Sequence, residues 1–577
     1  MRSSGTANGP ERRTDRDTAV WRKAQRLVRD LRQRIFRATQ AGDQRKVRSL
    51  QKLMLRSYSN VLMSVRRVTQ VNAGKGTPGV DKGVVKTPAA RGRLVDHLAT
   101  AQPWRSQPVR RVYIPKSSGK QRPLGIPTVT DRCLQAMVKN ALEPEWGARF
   151  EGSSHGFRPG RSCHDAIAKI HLLARPNKRK KWVLDADIKG AFDAIDHGLL
   201  LRTLGTAPGR GPIRQWLEAG VLEEGVAHAT PRGTPQGGVI SPLLLNIALH
   251  GMEAALGVRH NREGEVAGKR AVVRYADDFV VFCESQADAL DVRDRILPGW
   301  LAERGLSLSG EKTRVVHLTD GFDFLGFTVR HYPSPQTTRT GYKLPIRPSK
   351  ESVAGLRERL RDAWRQLRGH NAHAVVRKLN PIIRGWAYYF RTAVSSATFH
   401  GLDNWMHRRA LRYARRAHPT KPWPWRANRH WGRLSPGRQD RRVFGDKRSG
   451  AYLLKFSWVK IVRHRLVQGT ASPDDPRLRE YWWGRQKVNL ACLSPGDVRL
   501  AQDQDWYCPV CGMDLINGEP LERHHQVPRS EGGMRLSANR VLVHLYCHQQ
   551  LTAAWRKRRA QGLLREGVVN DCLSRVR

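Results

Sequence analysis

Residues 272–283 read VVRYADDFVVFC, and this stretch says more about the fold than any other. Two apolar runs flank Tyr-Ala-Asp-Asp, which predicts a β-hairpin with Asp277 and Asp278 at its tip. Placing two adjacent carboxylates beside hydrophobic strands is costly unless cations compensate their charge. Because carboxylate oxygens are the ligands that Mg²⁺ prefers, the hairpin predicts a magnesium site.

A second carboxylate segment lies earlier in the chain. Residues 182–196 read WVLDADIKGAFDAID, a strand-like run that ends in Asp185 and Asp187 before a Gly-Ala turn. Phosphoryl transfer on two metal ions needs carboxylates from at least two chain segments, because one ion activates the attacking 3′-hydroxyl and the other stabilises the leaving pyrophosphate. The sequence offers both segments.

The charge balance points to a polyanionic partner. The chain has 577 residues with 103 Lys and Arg against 50 Asp and Glu, a net charge of +53. So much positive charge opposes compaction unless a polyanion compensates it. Nucleic acid is the first candidate, an anionic membrane surface the second, and a generically basic protein the third. The length predicts two to four domains.

Neither the apolar runs of the sequence nor its first residues predict a membrane protein. No apolar run approaches the roughly 20 residues needed to span a bilayer. The first 20 residues are polar and contain no apolar signal-peptide core. We therefore expect a cytoplasmic protein, associated with nucleoid or ribonucleoprotein, without a membrane partner.

The remaining pattern is mixed helix and strand. An apolar stripe from Val20 to Ile35 predicts a helix whose arginine face, including Arg32, is either solvated or in contact with RNA. Strands are predicted at 111–114, 182–187, 271–273 and 279–282, with helices between them, which indicates an α/β catalytic region up to about residue 335.

After Lys350 the sequence becomes rich in arginine and tryptophan. Aromatic rings interleaved with arginines suit nucleic-acid binding, and a helical bundle with a tryptophan core is the alternative. Both hold together if Trp386 and Trp405 lie on apolar stripes while the arginines face outward.

Three of the eight cysteines, Cys508, Cys511 and Cys547, cluster near the C-terminus, and the other five are scattered along the chain. Cys508 and Cys511 form a CxxC pair, and His544 and Cys547 form a second pair with the same spacing. Two such pairs predict a structural zinc site on these side chains.

Six blocks along the chain, taken in order, resemble the reverse transcriptase of group II intron-encoded proteins. They are Arg111–Thr128 (RVYIPKSSGKQRPLGIPT), Asp187–Asp193 (DIKGAFD), Gly233–Ile247 (GTPQGGVISPLLLNI), the 272–283 hairpin, Leu306–Lys312 (LSLSGEK) and Gly321–Phe327 (GFDFLGF). The resemblance implies an RNA-directed DNA polymerase that uses dNTPs and Mg²⁺.

The resemblance also implies residue roles in the polymerase. Asp187, Asp277 and Asp278 fall on the catalytic metal ligands, whereas Asp185 does not and is interpreted as a local structural carboxylate. Phe192 matches the aromatic steric gate that excludes a ribose 2′-hydroxyl.

Further residues match positions around the incoming nucleotide. Lys116 and Arg122 match the basic pair that clamps the triphosphate, and Gln236 matches a residue near the nucleotide and primer terminus. Lys312 is a candidate for protonating or neutralising the pyrophosphate.

Downstream segments resemble the other parts of the same family. Lys378–Phe390 (KLNPIIRGWAYYF) resembles the start of the thumb-like maturase domain, which binds intron RNA and promotes its splicing. Residues 425–483 resemble its DNA-binding connector.

The C-terminal histidines resemble the HNH, or ββα-metal, nuclease motif. The match makes His525 the general base that activates water and Asn539 the residue that orients it, while His524 and His548 hold one divalent ion at the scissile phosphate. A zinc ribbon with bystander histidines is the alternative.

We therefore expect an α+β multidomain protein: a right-hand polymerase with a helical thumb and a small zinc-bound ββα-metal domain. The expected divisions are a disordered tail (1–18), fingers and palm (19–335), thumb and maturase domain (336–425), basic DNA-binding connector (426–500) and HNH endonuclease domain (501–577). Its expected function is to reverse-transcribe RNA, assist splicing of its group II intron RNA and nick target DNA to supply the primer. A splicing cofactor with a vestigial polymerase and a host or defence reverse transcriptase without an intron are the alternatives.

Overall fold

The computed structural model describes residues 18–100, 104–115, 121–261, 266–336, 338–488, 493–516, 519–534 and 536–560. The predicted disordered tail, apart from Thr18, lies outside the described residues, and so does Lys116.

The first part of the chain forms the fingers. Its elements are α1 (Thr18–Gln40), α2 (Gln44–Arg56), α3 (Tyr58–Arg66), α4 (Pro88–Ala99), β1 (Val109–Pro115), β2 (Gln121–Ile126) and α5 (Val129–Arg149). α1 forms because apolar residues recur on one face, where Ala24, Leu31 and Ile35 are buried. α5 is capped at its start by Thr128, whose hydroxyl accepts from the Asp131 N–H at 3.1 Å.

The polar face of α1 is not simply solvated. The Arg32 guanidinium donates to Asp474 at 2.7 and 2.8 Å and to Glu143 at 3.0 Å. The expectation that Arg32 faces solvent or RNA is therefore wrong, because its charge is used to join α1 to α5 and to the connector.

The palm follows, with a four-stranded antiparallel sheet at its centre. The elements are α6 (Cys163–Leu173), β3 (Trp182–Asp187), α7 (Ala191–Ala194), α8 (His197–Leu204), α9 (Arg210–Glu218), β4 (Val221–Glu223), β5 (Val226–His228), α10 (Ser241–Ala248), α11 (Met252–Ala255), β6 (Ala271–Tyr275), β7 (Asp278–Cys283), α12 (Gln286–Asp291), α13 (Leu297–Ala302) and β8 (Arg314–His317). The palm sheet has the order β6-β7-β3-β8. The fingers sheet has the order β2-β1-β4-β5, so β4 and β5 follow β3 along the chain but pair with the fingers strands. The predicted strands are confirmed.

Both faces of the palm sheet are covered. Alternate residues point to opposite faces of a strand, so Leu184 and Phe279 pack with the palm helices while Val183 and Phe282 pack towards the thumb. Each fully buried phenylalanine contributes on the order of 2 kcal/mol. This two-sided burial makes the strands apolar throughout and holds the strand ends in place.

The thumb is helical and continues into a small sheet. Its elements are β9 (Phe322–Phe324), β10 (Phe327–Val329), β11 (Tyr332–Pro333), β12 (Tyr342–Lys343), β13 (Arg347–Pro348), α14 (Lys350–Gln366), α15 (Ala372–Phe390), α16 (Ser396–Ala417), α17 (Trp423–His430), β14 (Trp431–Gly432), β15 (Val443–Asp446) and β16 (Ala451–Tyr452). Trp431, Phe444 and Phe456 share one hydrophobic core with these helices. The core thus extends past residue 425.

The last described part of the chain contains a small ββα unit, which two helices precede. The elements are α18 (Arg479–Val488), α19 (Pro495–Asp503), β17 (Leu521–His525), β18 (Arg540–His544) and α20 (Leu545–Ala560), and β17 pairs antiparallel with β18. Along the described ranges, no helix combines the length and apolarity that crossing a membrane requires. The α+β multidomain prediction is confirmed.

Candidate polymerase and nuclease sites

The Tyr-Ala-Asp-Asp turn brings the predicted carboxylates together. Tyr275 pairs with Asp278 at the end of the β6–β7 hairpin, so Ala276 and Asp277 form a two-residue turn. Ala276 adopts a left-handed conformation with φ of 60°. On the neighbouring strand Asp187 pairs directly with Asp278. Three carboxylates from two segments therefore meet at one edge of the palm sheet.

Burial and the neighbouring carboxylates at this edge of the sheet raise the pKa values of Asp277 and Asp278. Limited hydration and repulsion from Asp277 and Asp187 raise the pKa of Asp278 to about 7. The pKa of Asp277 is raised for the same two reasons, with Arg122 opposing the shift. A bound cation would remove this repulsion, so the residues fit a divalent metal site.

Basic side chains border the same edge. Lys312 forms an ion pair with the Asp187 carboxylate, which raises the lysine pKa. Arg122 lies on β2, close enough to influence Asp277 electrostatically. Burial raises the pKa of Asp185 to about 6 against the pull of Arg314, whose Nε donates to it at 3.2 Å.

Gln236 and Phe192 lie where palm and fingers meet. The Gly125 N–H of β2 donates to the Gln236 carbonyl at 2.9 Å. A Cβ at Gly237, whose φ is 135°, would lie 2.6 Å from the Gly125 carbonyl oxygen, so this close approach requires glycine. The Thr234 N–H donates to the Phe192 carbonyl at 2.6 Å. Phe192 is buried and borders a cavity of about 260 Å³.

Residues without an assigned role in the motifs hold the turn from behind. Buried Arg274 donates to Asn246 Oδ1 at 3.0 Å and to the Ala276 carbonyl at 3.2 Å. Asn246 in turn donates to the Gly156 carbonyl at 2.8 Å. Sequence reasoning missed this network, although an arginine inside an apolar strand is a signal that it has a buried partner.

The predicted zinc ligands form a compact, buried cluster. Ligand atoms of Cys508, Cys511, His544 and Cys547 all lie within 4.8 Å of one another, and all four residues are buried. His544 Nε2 lies 3.0 Å from the carbonyl oxygen of Asp514 and donates to it. This leaves Nδ1, 3.3 Å from Cys511 Sγ, as the ligand atom. Three thiols and one imidazole fit a tetrahedral metal site.

The predicted nuclease histidines lie on β17 and α20, which pack against each other. The rings of His524 and His548 lie 5.3 Å apart at 69°. Burial and the two neighbouring imidazoles lower the pKa of His524 to about 4, which keeps this ring neutral, as a metal ligand must be. His525 pairs with Arg540 across the hairpin.

Asn539 is committed to the backbone. Its Oδ1 accepts from the Val527 N–H at 2.7 Å, while Nδ2 donates to the carbonyls of Val527 and Met534 at 3.1 and 2.9 Å. These bonds close the loop that follows His525. The side chain thus sets the loop's shape.

A basic groove, about 980 Å³ in volume, lies between the ends of α14 and α16. Trp364 and Tyr413 lie among its arginines, which are Arg361, Arg365, Arg368, Arg409, Arg412, Arg415 and Arg416. Within the described ranges only Arg365 of these has an ion pair, with Asp362 at 3.3 Å. Loss of hydration and the nearby guanidinium groups lower the pKa of Arg409. The groove is thus an uncompensated cluster of cations.

Family models match along most of the chain. They are the N-terminal domain of reverse transcriptase at 17–98, reverse transcriptase (RNA-dependent DNA polymerase) at 114–329, the group II intron maturase-specific domain at 353–431 and HNH endonuclease at 508–554.

Several curated proteins are similar to this chain. Protein YkfC of Escherichia coli is 36% identical over 50% of this chain and 85% of its own length. The group II intron-encoded protein LtrA of Lactococcus lactis is 33% identical over 44% of this chain, and the match spans only 52% of LtrA. Maturase-like protein 1 of Euglena gracilis is 27% identical over 64% of this chain and 76% of its own length.

Proposed function

The chain belongs to the group II intron-encoded proteins that combine reverse transcriptase, maturase and HNH endonuclease domains, and on this premise we propose that it copies RNA into DNA at Asp187, Asp277 and Asp278. The observation that carries the proposal is the register that pairs Asp187 with Asp278 beside the Asp277 turn. These three side chains hold Mg²⁺. The chemistry that bound Mg²⁺ supplies there is activation of the primer 3′-hydroxyl and stabilisation of the pyrophosphate.

The surrounding residues bind the nucleotide. Arg122 and Lys116 contact the triphosphate, and Lys312 exchanges its ion pair with Asp187 for the departing pyrophosphate. Gln236 positions the nucleotide and primer terminus from the loop that joins palm to fingers. Phe192 closes on the sugar and admits dNTPs only. The basic side chains supply positive charge where negative charge develops, and Phe192 supplies the shape that excludes a 2′-hydroxyl.

Primer extension on a poly(rA)/oligo(dT) template tests the polymerase. Asp277→Ala should lower the rate by more than about 100-fold while RNA binding persists. The matched control is Asp294→Asn, an exposed carboxylate paired with Arg293 at 2.7 Å, which should extend normally. Extension that survives Asp277→Ala would refute the metal assignment. Wild-type protein that binds RNA but makes no DNA would instead favour the splicing cofactor.

We propose that the thumb binds the chain's intron RNA through the basic groove and so assists splicing. Guanidinium groups without carboxylate partners are free to contact phosphates, and Tyr413 offers a ring for stacking. The predicted divisions of the chain serve these roles, with the thumb core extended to include Trp431, Phe444 and Phe456 of the predicted connector. The connector then contacts target DNA.

We propose that the HNH domain nicks target DNA and so provides the primer. His525 accepts the proton of the attacking water, and His524 and His548 hold a divalent ion at the scissile phosphate. Asn539, to which the resemblance assigns an orienting role, acts by positioning the loop after His525, because its side-chain amide is bonded to the backbone. Cys508, Cys511, His544 and Cys547 hold Zn²⁺, which stabilises the domain.

A plasmid-length target DNA separates the two activities. His525→Ala should abolish nicking and leave extension of a pre-nicked primer unchanged. Nicking that persists in His525→Ala would contradict the general-base assignment. A wild-type domain that contains zinc and never nicks would support the zinc ribbon instead.

A further inference from the structure

Phe157 has an unusual position for a large apolar residue. Its side chain is 46% exposed, and its backbone is left-handed with φ of 58°. Bulky residues adopt this conformation at a cost and persist in it only where the surroundings enforce it. Its ring meets Phe192 edge to face, with centroids 6.3 Å apart and an interplanar angle of 69°.

The loop that carries Phe157 is held firmly on both sides. Gly156 lies against the Tyr-Ala-Asp-Asp turn, since a Cβ there would be 2.3 Å from the Ala276 nitrogen. Its carbonyl accepts from Asn246 at 2.8 Å. On the other side, Arg158 donates to the carbonyls of Glu151 and Ser154 at 2.6 and 2.8 Å. The strained conformation of Phe157 is therefore imposed by the loop.

Phe192 has space on another side. Its ring borders the cavity of about 260 Å³, whose lining includes Gly125, Thr234 and Pro235. A ring next to a cavity can tilt away from a nucleotide sugar unless a second contact holds it. Phe157 is a partner of the right shape, because edge-to-face rings attract each other.

We propose that Phe157 is a positioning residue that holds Phe192 against the nucleotide sugar and so contributes to the choice of dNTPs over rNTPs. The inference rests on the proposed polymerase function and extends it to a second aromatic residue. One loop therefore contacts both features: Gly156 lies against the Tyr-Ala-Asp-Asp turn, and Phe157 lies against Phe192.

Phe157→Asn is the informative variant. Asparagine tolerates the left-handed conformation better than phenylalanine does, so the loop keeps its backbone while the ring is lost. We measure kcat/KM for a dNTP and the matching rNTP on an RNA template with Mg²⁺. Discrimination should fall roughly three- to tenfold, the range that corresponds to one aromatic pair, because rNTP incorporation rises. Phe157→Tyr keeps a ring and should retain wild-type discrimination.

A double variant tests whether Phe157 acts through Phe192. Phe192→Val should lose discrimination, and adding Phe157→Asn should change it no further. Equal discrimination in wild type and Phe157→Asn, or additive losses in the double variant, would overturn the proposal. If Phe157→Asn incorporates nothing, Phe157→Gly decides, because glycine adopts the left-handed conformation freely and lacks the ring: reduced discrimination supports the proposal and wild-type discrimination overturns it. Wild-type protein that incorporates no dNTP refutes the polymerase function itself, which is a different result.

Discussion

Replacing Gly156 by alanine tests whether the loop behind the Tyr-Ala-Asp-Asp turn sets the rate of the proposed polymerase reaction. The added methyl group would lie 2.3 Å from the Ala276 nitrogen and 2.9 Å from the Tyr275 carbonyl carbon. Both atoms belong to backbone that the palm sheet and Arg274 already hold. Neither can yield as a flexible side chain would, so the turn itself must move.

The size of the movement follows from the contact. Ordinary van der Waals contact begins at 3.4 Å, so the 2.3 Å approach requires a separation of about 1 Å more. A misplacement of about 1 Å at a reacting centre lowers the rate on the order of 100-fold. This corresponds to about 2.7 kcal/mol of transition-state stabilisation. Because Asp277 is in the turn, the loss should fall on kcat.

The assay is primer extension at saturating dNTP, with RNA binding and thermal unfolding measured on the same preparation. Gly156→Ala should lower kcat about 100-fold while RNA affinity is retained. Gly299→Ala is the matched control, because nothing lies within 4 Å of the added Cβ in α13. An unchanged kcat in Gly156→Ala, with the protein folded, would show that the loop does not position the turn.

Three further predictions concern other parts of the molecule. Cys511→Ser should release zinc and make residues 501–560 protease-sensitive while primer extension stays within about twofold; metal analysis and limited proteolysis would contradict this if zinc were retained. Burial lowers the pKa of His155 to about 3, so the unfolded chain binds a proton near pH 6.5 that the folded chain does not. Stability is therefore lost as pH falls, by about 2 kcal/mol between pH 7.5 and 5, and denaturant unfolding of His155→Gln should lack that loss. Arg412→Ala should lower the slope of log Kd for RNA against log salt by about 1, whereas Arg295→Ala, far along the chain in the palm, should leave it unchanged.

The sequence predicts the hairpin that carries Asp277 and Asp278 because its signal is local. Apolar runs on both sides of Asp277 and Asp278 specify strands, and charge between them specifies a turn. The proposed zinc ligands are predictable for the same reason, since each CxxC-like pair is a short-range pattern. The structure brings Cys508 and His544 together as that pattern implies.

What the sequence could not predict are partners that lie far apart along the chain. Asn246 stands inside a recognised block, yet its role depends on Arg274 and Gly156, which no spacing rule connects to it. For a similar reason, the sequence does not reveal where the hydrophobic core of the thumb ends. Hydrophobic residues of the small sheet pack on α14–α16 and belong to the same core as these helices. The composition of the sequence changes near residue 425, but the hydrophobic core continues past it.

A long-range ion pair also connects the nuclease domain to the fingers. Arg66 of α3 bonds Glu519 at 3.0 Å, and these side chains are only 5% and 9% exposed. Removing such charges from water costs roughly as much as their attraction returns, so a buried pair adds little net stability. The pair does, however, disfavour every alternative packing of the domain that would leave Arg66 or Glu519 buried without its partner. Arg66 also lies over the Trp21 ring, 5.1 Å from its centre, so the pair connects Glu519 of the HNH region to two helices of the fingers. Arg66 thus links α3, and through the Trp21 ring α1, to the segment that precedes β17, a contact that an amphipathic stripe alone does not reveal.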